Sequence, residues 1–193
     1  MKPSDDVLRR LYTAPPEKVL IVLIVMVTVA AIYDIRYRKI PNWLTIGGVL
    51  LGFAINFALG PPEGGVLFAL LGFGAAFGIY MVMYVLRATA AADVKLMGAV
   101  GALVGWERWF GIYFATAIVG GVMAIALVTA RKRFKRTIFN VGFILSEIIH
   151  GRPAYVRNEE LDVRNPKAVR LPHGAVIAVG TVSSLVIAAR LTR

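Results

Sequence analysis

Polar and apolar positions along this chain alternate on the scale of whole segments, not of single residues. Apolar runs such as Val19 to Tyr33, Leu67 to Leu86 and Tyr113 to Ala130 approach or reach the roughly 20 residues a helix needs to cross a hydrocarbon core about 30 Å thick. With Gly, Pro and charged residues as punctuation, the pattern predicts six membrane segments near 18–35, 43–60, 65–86, 93–106, 109–130 and 174–191. Pro61-Pro62-Glu63-Gly64-Gly65 separates the second from the third. Trp106-Glu107-Arg108-Trp109 turns the fourth into the fifth, with two tryptophans at the depth indoles favour. The fourth segment is short, about 21 Å if helical at 1.5 Å per residue. The expected fold class is all-α, a polytopic transmembrane helical bundle forming one membrane-embedded domain over residues 1–193 with a polar loop near 131–172.

Composition agrees with that pattern. Of 193 residues, 58% are hydrophobic and 17% charged, too apolar for a soluble domain with a polar surface. The first run follows a mixed-charge stretch and lacks a small-residue cleavage site, so it reads as a retained span. The net charge of +11 is scattered over short loops instead of forming one basic face, which excludes a nucleic-acid role and points to anionic lipid as the partner. Arg36, Arg38, Lys39, Arg87 and the run Arg131-Lys132-Arg133-Phe134-Lys135-Arg136 all fall on the side opposite the two turns, making that side cytoplasmic by the positive-inside rule. The N-terminal cations would fall outside, offset in part by Asp5, Asp6 and Glu17. Small residues at helix-packing spacing, Gly48/Gly52, Gly74/Gly78 and Gly101/Gly105, predict close helix contacts. Within the polar connection, Ile138 to Ile149 is apolar enough for an interfacial amphipathic helix or a plain surface helix.

Two carboxylates stand where a membrane protein should avoid them. Asp34 ends the first span, and Asp93 opens the fourth. Two carboxyl groups sharing one proton can hydrolyse a peptide bond, because close like charges separate their acidities into an acid and a base, and no metal or cofactor is required. Taken singly, each has an ordinary explanation: Asp93 as a helix N-cap, Asp34 as an interfacial group paired with Arg36 or Arg38. Intramembrane carboxylates also mark ion paths or packing contacts, so a small transporter or a noncatalytic scaffold is the alternative.

The residues around the pair are more specific. Asp34-Ile35-Arg36-Tyr37-Arg38-Lys39-Ile40-Pro41-Asn42 resembles the first catalytic motif of the type IV prepilin peptidases, an aspartate followed six residues later by Ile-Pro-Asn. Ala92-Asp93-Val94-Lys95-Leu96 is similar to their second, Gly-x-Gly-Asp followed by x-Lys-Leu, and Leu171-Pro172-His173-Gly174 to the Pro-aromatic-Gly opening of their last span. The resemblance implies a multi-pass aspartyl protease of the inner membrane that removes prepilin leaders on the cytoplasmic side, with Asp34 and Asp93 catalytic. The short chain without cysteine looks like the subgroup without methyltransferase activity, such as the Tad/Flp pilus or archaeal preflagellin peptidases. Ala90 and Ala92 replace both motif glycines. Alanine would strain the loop if the glycines supply positive φ, and fits better if they serve close approach.

The neighbours receive supporting parts. Pro41 and Asn42 are expected to shape and cap the start of the second span. Lys95, two residues after Asp93, does not share its helix face and reads as snorkelling to headgroups. His150 and His173 lack accompanying ligands and read as loop or interface residues. Glu147, Glu159, Glu160 and Asp162 could meet a basic substrate leader, though ordinary loop solubility explains them as well. Exact substrate and oligomeric state stay open.

Overall fold

The computed structural model describes residues 15–60, 65–132, 134–150 and 172–191. It contains six helices: α1 (Glu17–Tyr37), α2 (Asn42–Leu59), α3 (Val66–Val85), α4 (Ala91–Ala130), α5 (Phe134–Ile149) and α6 (His173–Leu191). All but α5 are long and apolar enough to cross a membrane, and there is no strand among the described residues. The chain is a multi-pass membrane protein.

The bundle is organised around α4, which packs against α2, α3 and α6, while α1 packs mainly on α6. Its 40 residues are two helices joined at Gly105, whose φ of 79° and ψ of 170° are non-helical. Contacts on either side show that the chain reverses there. Before the break, Gly105 meets Phe68, Gly101 meets Gly72, and Gly98 meets Phe73 and Phe77, so the first leg runs antiparallel to α3. After it, Trp109 and Tyr113 are back beside Tyr80. Thr116 then meets Gly180 and Gly120 meets Val176, so the second leg runs antiparallel to α6. The fourth and fifth predicted segments are therefore these two legs, but the turn falls on Gly105 itself and not within 106–109. A glycine serves because φ is positive and because any Cβ would overlap the Phe68 ring.

A helix broken in an apolar setting leaves carbonyls without partners, at a cost that must be met locally. Asn56 of α2 meets it. Its Nδ2 donates to Ala102 O at 2.9 Å, Leu103 O at 3.1 Å and Gly52 O at 2.9 Å, the two hydrogens being shared among three acceptors. Asn56 is only 1% exposed, so no water competes for these bonds.

Small residues line the helix crossings and large ones face outward, as expected where lipid supplies no hydrophobic drive to association. A side chain on Gly72 would strike the Gly101 carbonyl, one on Gly52 would lie 2.9 Å from the Ala102 carbonyl carbon, and one on Gly48 would collide with Met26. Gly48/Gly52 and Gly101/Gly105 thus pack as their spacing predicts. Gly74 and Gly78 do not: a Cβ on either would meet no atom of another helix within 4 Å, and Gly72 is the α3 glycine at the crossing. Leu50, Phe57, Leu67, Ile118 and Val122 are exposed and form the outer surface.

The apolar stretch of the long polar connection forms α5, touching the bundle through α4, with Ile138, Phe139, Val141 and Ile149 exposed.

Candidate active site

Because α1 ends, α2 begins, α3 ends, α4 begins and α6 begins at one end of the bundle, the short connections there gather the motif residues. Asp34 lies in the last turn of α1, which Arg38 closes in the left-handed conformation with its N–H on the Asp34 carbonyl. The Asp34 carboxylate faces α6: its Oδ2 accepts a hydrogen bond from the Gly174 N–H at 2.7 Å. That amide is one of the unpaired donors of a helix start, where a negative charge is also favoured by the helix dipole. Gly174 is buried, and a Cβ on it would lie 3.0 Å from Asp34 Cβ, 3.1 Å from Asp34 Oδ2 and 3.1 Å from Ile40 Cδ1. Glycine is needed here for close approach.

Asp93 is in the first turn of α4 but is not its N-cap. The N-cap is Ala90, and the Asp93 carboxylate reaches back to it, Oδ2 accepting from the Ala90 N–H at 3.3 Å and from the Thr89 hydroxyl at 3.0 Å. Only this half of a capping box exists, since alanine has no side-chain acceptor to offer in return. Asp93 and Thr89 are each 7% exposed, so the carboxylate is fixed in a water-poor setting while Asp34 is half-buried. Asp34 and His173 are both neighbours of Asp93 at this end of the bundle. Tyr80 of α3 also neighbours Asp93, and its ring meets those of Trp109 and Tyr113 edge to face.

The alanines that replace the motif glycines cause no backbone strain. Ala90 has φ −91° and ψ 153°, an extended conformation open to any residue, and Ala92 is helical. Among the described residues, the non-glycine residues at positive φ are Arg38, Arg87 and Lys132.

Two neighbours do something other than expected. Asn42 does not cap α2, whose N-cap is Pro41 in an extended conformation with no side-chain hydrogen bond. Instead Asn42 Oδ1 accepts from Lys95 Nζ at 3.0 Å. Lys95 therefore does not simply snorkel: it ties the first turn of α4 to the first turn of α2, holding together the two stretches that follow Asp34 and contain Asp93. His173 is not an isolated loop residue but the first residue of α6, beside the pair. His150 follows α5, its Nδ1 2.7 Å from Ser146 O. Glu147 is 5% exposed, too enclosed to meet a substrate leader as a surface charge. Glu159, Glu160 and Asp162 lie outside the described residues.

Thr89, Gly174 and Tyr80 complete the surroundings of the pair without having been singled out from sequence. Gly174 had a signal, its place in the Pro172-His173-Gly174 motif. Thr89 had a fainter one, a hydroxyl four residues before an aspartate at a helix start. Tyr80 had none, being one aromatic among many on an apolar helix.

Comparison with curated proteins and with solved structures returned no match. The family model for the type IV leader peptidase family matches residues 21–125, a stretch that includes both aspartates, Asn42 and Lys95. With the motifs gathered at one end of a helical membrane bundle and that match covering more than half of the sequence, the chain belongs to the type IV leader peptidase family.

Proposed function

We propose that this protein is a membrane aspartyl endopeptidase that removes the leader from type IV prepilin-like precursors, with Asp34 and Asp93 as its catalytic pair. The observation that carries the reading is that two acidic side chains from separate helices, one in the last turn of α1 and one in the first turn of α4, are gathered at the same end of the bundle, each gripped through Oδ2. One carboxylate, ionised, takes a proton from a water as that water attacks the scissile carbonyl. The other, protonated, donates to the carbonyl oxygen, and the proton taken from water passes to the leaving amine as the tetrahedral intermediate collapses. Gly174 and Thr89 hold the two carboxylates in position for this.

Arg36, Arg38, Lys39, Arg87, Arg131 and Lys132 cluster at the same end, which supports a cytoplasmic site in the inner membrane by the positive-inside rule. A prepilin whose hydrophobic helix is in the bilayer would present its leader junction at that level.

Coexpression with a prepilin tests the proposal. Asp34→Asn and Asp93→Asn, each inserted at wild-type level, are expected to lower processing at least about 100-fold, the scale of a lost general acid or base. Undiminished processing by either variant would overturn the assignment.

A further inference from the structure

At the end of the bundle away from the aspartates, the second leg of α4 and the last turns of α6 line a half-open cavity of about 460 Å³, within the size range of small-molecule sites. Its wall is apolar and aromatic, with Trp106, Phe110, Phe114 and Ile187 prominent, and Glu107 and Ser184 supply polar groups. Trp106 and Phe110 meet edge to face at 6.2 Å between ring centroids. Glu107 is 7% exposed, and its Oε2 is enclosed without a hydrogen-bond partner among the described residues. A carboxylate oxygen shut away unpaired in such a setting costs free energy unless something supplies a donor.

We infer that this cavity is a lipid site, occupied by a bilayer lipid with a primary ammonium headgroup. The complementarity is chemical at both ends. An ammonium brings N–H donors and positive charge to Glu107 and lies favourably against aromatic faces, while acyl chain fills the apolar remainder. A trimethylated headgroup carries the charge but no N–H donor, and a glycerol headgroup carries donors on an anionic lipid. The three headgroups therefore separate the hydrogen bond from the charge and from simple cavity filling.

Native mass spectrometry of the full chain in detergent, titrated with phosphatidylethanolamine, phosphatidylcholine or phosphatidylglycerol of identical acyl chains, tests the inference. The wild-type protein is expected to retain phosphatidylethanolamine about tenfold or more over either other lipid, the scale of a charge-assisted hydrogen bond. Glu107→Gln is expected to erase that preference, and Ala115→Phe, which fills the cavity, to lower retention of the ethanolamine lipid. Equal retention of the three lipids by the wild-type chain, which needs no variant to fold, would overturn the assignment. So would an ethanolamine preference that survives Glu107→Gln in protein of unchanged helicity.

Discussion

Replacing Gly174 with alanine separates holding the bundle together from holding Asp34 in position. The new Cβ would meet Asp34 Cβ at 3.0 Å, Asp34 Oδ2 at 3.1 Å and Ile40 Cδ1 at 3.1 Å, so these atoms must yield by a few tenths of an ångström. Overpacking of this kind typically costs about 1–3 kcal/mol. Against it, alanine is the better helix former by about 1 kcal/mol, and the net loss of stability is expected to stay below about 2 kcal/mol. Catalysis has no such offset. Two of the three crowded atoms belong to Asp34, whose carboxylate accepts the 2.7 Å bond from the Gly174 amide, and misplacement by about 1 Å can cost on the order of 100-fold in rate. Gly174→Ala is therefore expected to lower kcat for prepilin cleavage about 10- to 100-fold, with KM changed little and thermal unfolding in detergent only modestly affected. Ile40→Val in the same background removes one of the three contacts and should recover stability, while the rate stays low because both Asp34 contacts persist. A Gly174→Ala enzyme with wild-type kcat would refute the claim that this close approach positions Asp34.

Two further outcomes follow from the geometry. Asn56→Leu leaves the Ala102 and Leu103 carbonyls buried without a donor at the α4 break and is expected to destabilise the protein by roughly 2–4 kcal/mol, measured by thermal or denaturant unfolding in detergent; a loss under about 0.5 kcal/mol would contradict the role given to Asn56. Ala92→Gly restores the motif glycine at a helical position, so it should bring no gain in cleavage rate and cost up to about 1 kcal/mol of stability; a rate increase would show that the glycine is needed for more than backbone conformation.

The spans were legible because lipid demands long apolar runs, and no other feature of this chain produces them. The turn between the fourth and fifth was misplaced by a residue or more because tryptophans and charges mark the interface, whereas the reversal needs the positive φ that Gly105 supplies. Glycine spacing showed which helices could pack closely but not which face is turned inward, so Gly72 was overlooked in favour of Gly74 and Gly78. Asn56 could not be read at all, since the carbonyls it serves lie 46 and 47 positions further along the chain and are freed by the break at Gly105. The aspartates were legible only through the words around them. Reading Asn42 as a cap followed its residue type, but its oxygen is taken by Lys95 from another helix, a contact no local rule describes. His173 was set aside as solitary because its neighbours in space come from α1 and α4, far away in sequence.

The rate of prepilin cleavage by the purified double variant Asp34→Asn/Asp93→Asn, set beside the two single variants in one detergent, tests the pairing most directly. Residues that act as one unit lose their function together, so the double variant should be as slow as either single one, all at least about 100-fold below wild type. Losses that multiply from single to double, or a single variant within tenfold of wild type, would show that the two carboxylates do not work as a pair.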